Sequence, residues 1–194
     1  MPRVITGRFR GTVLFAPEGD KTRPTTDKVK EALFSIIQSD VPGSEFLDLF
    51  AGSGQIGIEA VSRGAVRATL VDRGGDPARI ISRNLEKIHM KDSPEIRFIK
   101  AGFTQALEKL GSSGEKFDII FMDPPYKSVP EAALAAGEII SRLGMLNDGG
   151  MLIIEHASDN PPADTVSELK SVRSCSYGTT VITFFKKCSE ETES

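Results

Sequence analysis

The 194-residue sequence has few of the residues that build disulfide-linked or metal-binding proteins. It contains two cysteines, Cys175 and Cys188, two histidines and no tryptophan. The cysteines lack metal-ligand spacing and have no further partners, so we expect reduced thiols and no metal site. No apolar run approaches the roughly 20 residues of a membrane span, and the N-terminus lacks a secretory signal pattern. These absences favour a cytoplasmic protein with no membrane partner.

The net charge of −3 argues against a protein that coats nucleic acid by bulk charge. The basic residues are nevertheless concentrated in the first thirty positions, as Arg3, Arg8, Arg10, Lys21, Arg23, Lys28 and Lys30. Such a segment can meet phosphates locally on an acidic body, although many solvated surfaces share this composition. The chain ends in the acidic and polar residues SEETES, so we expect a disordered tail over 188–194.

The order of apolar patterns predicts a single α/β domain. A helix is expected over 25–39, after short β-prone runs broken by glycines that suggest an N-terminal hairpin. Strands predicted at 46–50, 68–72, 96–100, 117–122 and 150–156 alternate with helices at 55–64, 77–90, 104–110 and 131–144. Two final strands, 171–177 and 179–187, leave room only for an antiparallel hairpin. The expected fold is a doubly wound, mostly parallel seven-stranded sheet that ends in this hairpin.

The stretch LDLFAGSGQIGIEA, residues 47–60, predicts a nucleotide-binding loop. Gly52 and Gly54 allow a tight turn before a helix whose free N–H groups face a ligand. Asp72, about twenty residues further on, is placed to bind both hydroxyls of a ribose. Gly57 completes the G-x-G-x-x-G pattern, so the glycines alone also fit NAD. Asp48 favours a nucleoside with an amino-acid tail because it could hold a cationic amine; a capping role is its alternative.

A second motif, DPPY, follows the buried strand FDIIFM. The nitrogen of a planar amine is a poor nucleophile because its lone pair is delocalised. The Asp123 carboxylate and the Pro124 carbonyl can accept its two N–H groups and align it with a methyl donor. The two prolines fix the backbone, and Tyr126 offers a face on which an extruded base can stack. The alternative is a turn that merely ends the strand.

Motifs of this kind in this order resemble S-adenosylmethionine-dependent amino-methyltransferases with an (N/D)PP(Y/F) motif. The segments RVITGRFRG, TRPTTDKVKEALF, GMLIIEH and SYGTTVITFF extend the resemblance over residues 3–186, to the bacterial 16S ribosomal RNA (guanine-N2)-methyltransferase family. The resemblance implies a Rossmann-like class I methyltransferase fold with S-adenosyl-L-methionine as cofactor. It implies methylation of a guanine N2 amine, that of guanine 966 in rRNA numbering, on the small ribosomal subunit or its assembly intermediate.

The resemblance also implies roles for individual residues. The cofactor's methionine part would be surrounded by Asp48, Ala51, Gly52, Ser53 and Gly54, and its ribose bound by Asp72. The target amine would be held by Asp123 and Pro124, with Tyr126 stacked on the base. The rRNA would be contacted by Arg3, Arg8 and Arg10 on a hairpin extension over 1–24, and Arg23, Pro24 and Thr25 would lie near the active-site mouth. The methyltransferase domain would span 25–187.

One position departs from the family. Such enzymes usually carry an acidic residue near the adenine amine after the third strand, whereas this chain has Gly102 in the segment KAGFTQAL. We therefore expect adenine to be held by backbone groups and by packing against Phe103. The departure concerns cofactor affinity and leaves the reaction type unchanged.

Other functions stay open from the sequence. A DNA or other RNA amino-methyltransferase would share the DPPY motif, although the chain has little room for a DNA target-recognition region. An NAD-dependent oxidoreductase would need a substrate domain and a hydride-handling group, and neither is evident. A non-catalytic rRNA-binding module could retain the fold. We expect a monomer because no interface helix is obvious, and a structural role for Asn84.

Overall fold

The computed structural model describes residues 1–16 and 26–188. In these ranges the helices are α1 (Asp27–Ile36), α2 (Gln55–Ser62), α3 (Gly75–Lys87), α4 (Phe103–Ser112) and α5 (Val129–Arg142). The strands are β1 (Glu45–Asp48), β2 (Arg67–Asp72), β3 (Ile96–Lys100), β4 (Phe117–Met122), β5 (Leu146–Ala157), β6 (Thr165–Val166), β7 (Leu169–Tyr177) and β8 (Thr180–Lys187). The predicted site residues Arg23, Pro24 and Thr25 and the predicted tail beyond Cys188 lie outside the described residues. No helix of the described ranges is long and apolar enough to cross a membrane.

The strands form one sheet in the order β3-β2-β1-β4-β5-β8-β7-β6. Strands β1 to β5 pair in parallel, and β8 pairs antiparallel with both β5 and β7. The doubly wound α/β fold with its antiparallel C-terminal hairpin is therefore confirmed. The predicted count of seven strands was wrong by one, because β6 contributes an eighth strand at the edge. A strand of two residues is too short to leave a periodic pattern in the sequence.

Alternation along the strands divides the core between the two faces of the sheet. On one face, Phe46, Ile119 and Ile153 pack against α1, α2 and α3. On the other, Leu47 and Ile120 pack against α4 and α5. Because the sheet is covered on both sides, the central strands are apolar at nearly every position. The buried acids Asp48 and Glu155 lie toward the carboxyl ends of their strands, which is where doubly wound sheets bind ligands.

The N-terminal segment, residues 1–16, is less regular than the predicted hairpin. A single antiparallel bridge joins Arg3 and Val13, and Gly7 and Gly11 adopt left-handed conformations between them. The intervening residues turn back on themselves, so no continuous ladder forms. The segment packs on α2 instead.

Buried ionisable side chains hold this segment in place. The Glu59 carboxylate accepts the backbone N–H groups of Ile5 and Thr6 at 2.7 and 3.0 Å. The fully buried Lys30 donates to the Arg3 carbonyl at 2.5 Å. Burial lowers the pKa of Lys30, and the nearby Glu59 carboxylate opposes part of that fall. The N-terminal segment is thus joined to the body of the domain by hydrogen bonds to two fully buried side chains, Lys30 and Glu59.

Gly57 lets α2 lie directly on the sheet. A Cβ atom at this position would sit 2.1 Å from the Leu70 Cδ2 atom of β2. That separation is far below van der Waals contact, so either the Leu70 side chain or the helix would have to shift. Gly57, the third glycine of the motif, is therefore needed for close packing of α2 on β2. This packing keeps the start of α2 near the carboxyl ends of the strands.

Gly57→Ala is expected to lower the free energy of unfolding by about 1–3 kcal/mol, since the added methyl overpacks the helix–strand contact. Urea unfolding followed by circular dichroism measures the change. Gly75→Ala is the matched control, because a Cβ there would meet nothing within 4 Å. The control should be neutral or stabilising by up to about 1 kcal/mol, given the helix propensity of alanine. Equal effects of the two substitutions would contradict this packing role.

Candidate active site

A cavity of about 830 Å³ opens at the carboxyl end of the sheet. The chain runs from β1 outward to β2 and β3, and then returns to β4 beside β1. Strand order reverses at this point, and the loops that diverge from it leave a crevice, as in other doubly wound sheets. The volume lies within the ~300–1,000 Å³ typical of small-molecule sites.

The loop after β1 forms the floor of the cavity. It extends the sheet beyond the strand end, because the N–H of Leu49 donates to the Phe121 carbonyl and the N–H of Ala51 to the Val71 carbonyl, both at 2.9 Å. Gly54 then adopts a left-handed conformation and starts α2. The loop is thereby fixed to both neighbouring strands before the helix begins.

Asp72 joins this loop to the end of β2. Its Oδ2 atom accepts the N–H of Gly52 at 3.0 Å, and its Oδ1 atom accepts the N–H of Gly74 at 2.8 Å. These two bonds fix the carboxylate at the cavity wall. Each oxygen keeps a second acceptor site, so the group can still accept the hydroxyls of a bound ribose.

The DPPY motif reaches the same cavity from β4. Asp123 and Pro125 line the wall, whereas Pro124 is buried beneath it. Tyr126 begins a one-turn 3₁₀ helix and is 40% exposed. Its backbone carbonyl accepts a hydrogen bond from Asn160. The motif thus places one carboxylate at the cavity and one aromatic ring at the surface beside it.

Three acidic side chains share the face of the sheet that packs on α1 to α3. Asp48 lies opposite Phe121 in the register, and the pairing of Met122 with Ile154 brings Asp123 alongside Glu155. Asp48 and Glu155 are buried. On this face, the apolar residues of β1, β4 and β5 are therefore followed by three carboxyl groups at the edge of the cavity.

Burial changes how these acids titrate. Burial raises the pKa of Asp48 to about 7, and the charge of Asp72 adds to the rise, while the backbone amides of Phe50 and Gly57 oppose it. Neither oxygen of Asp48 has a hydrogen-bond partner in the described part of the chain. Burial also raises the pKa of Asp123, and the charges of Glu155 and Asp48 raise it further. The site therefore gains from a ligand that brings positive charge.

Two aromatic side chains, Phe50 and Phe103, line the part of the cavity at the start of α4. The rings of Phe50 and Phe103 lie 5.1 Å apart at an angle of 37°. Gly102 precedes α4 without a side-chain cap, and a Cβ there would meet nothing within 4 Å. The space that an acidic side chain would occupy at this position is open.

The structure brings most of the predicted cofactor residues together. Six of the eight line the cavity: Ala51, Gly52, Ser53, Asp72, Gly102 and Phe103. The predicted catalytic residue Asp123 lines it as well. Asp48, the last residue of β1, and Gly54, the last residue of the loop before α2, are not among the described residues that line the cavity. Their predicted roles would therefore be exerted through charge and backbone conformation.

The predicted RNA-binding arginines lie on the N-terminal segment, but two of them are already paired. Arg3 donates to the Asp27 carboxylate at 3.0 Å. Arg8 forms a bidentate ion pair with the Glu95 carboxylate, with N–O distances of 2.6 and 3.3 Å. Arg10 is exposed and has no ion pair within residues 1–16 and 26–188.

Asn84 has a larger role at the site than the sequence indicated. Its side chain is fully buried, accepts the N–H of Phe15 at 2.7 Å and donates to the carbonyls of Phe15 and Ser53 at 3.0 and 2.8 Å. It therefore links the N-terminal segment to the glycine loop. The available signal was a polar residue on the apolar face of α3, between Ile81 and Leu85.

The sequence model of the family described as "Conserved hypothetical protein 95" matches residues 2–186. The chain belongs to this family. "Putative rRNA methyltransferase YlbH" of Bacillus subtilis is 37% identical over 185 residues, which cover 95% of this chain and 98% of that protein. "Ribosomal RNA small subunit methyltransferase D" of Escherichia coli is 31% identical over 153 residues, 79% of this chain and 70% of that protein.

The fold is shared with solved structures. The structure of "Putative methyltransferase yhhF from Escherichia coli" superposes with a TM-score of 0.80 at 27% identity, and covers 95% of this chain and 97% of its own. Among the described residues of the present chain, no cluster of three or more His, Cys, Asp or Glu side chains could hold a metal ion.

The Asp48 carboxyl makes the stability of the protein depend on pH. Because its pKa is raised to about 7, the folded state binds more protons than the unfolded state below that pH, and the free energy of unfolding falls as pH rises from about 4 to 7. We expect Asp48→Asn to raise the free energy of unfolding at pH 8 by on the order of 1–4 kcal/mol. The gain should be smaller at pH 5.

Urea unfolding at pH 5 and pH 8 measures this difference. Asp148→Asn is the matched control, because Asp148 is exposed and its replacement should give no pH-dependent gain. A gain for Asp48→Asn that is equal at both pH values would show that the buried charge is not its cause.

Proposed function

We propose that the protein transfers a methyl group from S-adenosyl-L-methionine to the exocyclic N2 amine of a guanine in 16S ribosomal RNA. The observation that carries the proposal is that Asp72 and Asp123 line one cavity. The first is an acid suited to ribose, and the second an acid suited to an amine. The names of the two curated relatives support ribosomal RNA as the substrate.

The residues at the cavity fit the proposed cofactor. Asp72 would accept its ribose hydroxyls, and the glycine loop would meet its amino-acid tail. Phe103 would pack against its adenine. Burial raises the pKa of Asp48 beneath the loop to about 7, and a cofactor with a positive sulfonium and a positive amine would favour the ionised form of this carboxyl. When bound, the cofactor supplies an electrophilic methyl group.

Asp123 would hold and activate the target amine. Its carboxylate accepts one N–H and the Pro124 carbonyl the other, which orients the nitrogen and restrains its motion. As the nitrogen gains a methyl group it becomes positive, and the adjacent carboxylate stabilises that charge. The raised pKa of Asp123 makes the group a better acceptor for the proton that nitrogen then loses. Tyr126 is exposed beside the motif and would stack on the extruded base.

The N-terminal segment would position the RNA. Arg10 is its exposed arginine without an ion pair in the described chain, and it would contact phosphate directly. Arg3 and Arg8 would have to exchange carboxylate partners for phosphates. Such contacts fix the orientation of the RNA without reading its sequence. We propose that the protein acts as a monomer on the small subunit in the cytoplasm.

Asp123→Ala is expected to lower the rate of methyl transfer by about 100-fold or more, because the carboxylate acts on charge that develops in the transition state. Binding of S-adenosylhomocysteine should change by less than about threefold, since Asp72 and the glycine loop are intact. Transfer of labelled methyl and isothermal calorimetry measure the two effects. Asp159→Ala, at an exposed acid near the same edge, should leave both unchanged. Full turnover by Asp123→Ala would contradict the role of this residue.

The substrate is tested by offering small subunits that lack rRNA modifications, naked 16S rRNA and duplex DNA in parallel. Label on a guanine N2, mapped to guanine 966, supports the full proposal. Label on DNA alone would replace rRNA by DNA as the substrate. Cofactor binding without label on any of the three would favour a binding module over an enzyme.

A further inference from the structure

The cavity contains one carboxylate that the proposed reaction does not use. Among its described lining residues the acids are Asp72, Asp123 and Glu131. Asp72 is tied to the glycine loop, and Asp123 faces the target amine. Glu131 makes no ion pair or side-chain hydrogen bond with any described residue. It is therefore available to a ligand.

Glu131 lies in the first turn of α5. The helix contributes Glu131, Ala132 and Ala135 to the cavity wall, and Ser128, the N-cap residue before it, also lines the cavity. Their spacing of three, four and seven residues places them on one side of the helix. Helices α4 and α5 pack against each other on the same face of the sheet. Both line the cavity with their first turns, so Glu131 lies on the same side of the cavity as Gly102 and Phe103.

The start of α4 offers no acidic side chain. Gly102 contributes only backbone there, and the space beside its Cα is empty. The following residue is Phe103, whose ring can pack on a purine but cannot accept a hydrogen bond from an amine. A purine amine in this end of the cavity needs an acceptor from another element.

We infer that Glu131 recognises the 6-amino group of the cofactor's adenine and so determines the specificity of the nucleoside site. The inference rests on the proposed cofactor. A carboxylate accepts hydrogen bonds but cannot donate them, so it favours an amine at this position and disfavours a carbonyl oxygen. Ser128 is a weaker candidate, since its hydroxyl already donates to the Pro125 carbonyl at 2.9 Å.

The test compares S-adenosylhomocysteine with S-inosylhomocysteine, in which a carbonyl oxygen replaces the 6-amine. Calorimetry on the full chain should show a preference for the adenosine compound on the order of 10- to 100-fold, the range expected for a hydrogen bond to a charged group. In Glu131→Ala the preference should fall to less than about threefold. Glu131→Gln should lose it as well, because an amide can turn to donate to the carbonyl.

Glu138→Ala is the matched control, since Glu138 is an exposed acid two turns further along the same helix. This variant should keep the wild-type preference. The double variant Gly102→Asp/Glu131→Ala has a new carboxylate at the start of α4. If it regains the preference, Glu131→Ala had lost only a hydrogen-bond acceptor and its cavity was intact.

A wild-type preference retained by Glu131→Ala would overturn the inference. Equal binding of the two compounds by the wild-type protein would also overturn it, while leaving the proposed cofactor in place. Failure of the wild-type protein to bind either compound would instead contradict the proposed cofactor.

Discussion

The Asp72 carboxylate holds the loops after β1 and β2 in one arrangement. It accepts one backbone N–H from each loop, at Gly52 and Gly74. The glycine loop is further bound to β2 and β4 through the carbonyls of Val71 and Phe121. Because Asp123 follows β4 directly, these bonds also fix the distance between Asp72 and Asp123. The site is therefore rigid where alignment of two reactants demands it.

The charge of the site is unfavourable to the folded protein. Asp48, Asp123 and Glu155 end adjacent strands on one face, and burial raises the pKa of the first two. A fold selected only for stability would have apolar residues there. A ligand with positive charge relieves this repulsion. The same acids therefore lower the stability of the empty protein and favour binding of the ligand. Clustered acids with raised pKa values are typical of functional sites, and this is why we assign these acids to one.

The sheet, its order and the two motifs could be predicted because strand and helix periods are local properties of the sequence. The DPPY and glycine segments fall at strand ends, and the topology alone brings such ends together. The eighth strand could not be predicted from two residues. The N-terminal hairpin was predicted from β-prone residues, but Glu59 and Ser62 of α2 take up the N–H groups of Ile5 and Phe9 instead.

Long-range polar contacts account for most of what the sequence could not show. Asn84 lies 69 residues from Phe15, and nothing local relates them. Asp48 does not line the cavity, and the sequence could not show this because it depends on how the glycine loop folds. Glu131 is an ordinary first-turn acid in the sequence, and only the cavity distinguishes it from Glu138.

A crystal structure with S-adenosylhomocysteine bound would test the central claim most directly. The ribose hydroxyls should lie about 2.7–3.2 Å from the Asp72 carboxylate, with the sulfur turned toward Asp123 and the adenine beside Phe103. A nucleoside bound away from Asp72, or a sulfur facing away from Asp123, would contradict a single cavity shared by methyl donor and target amine.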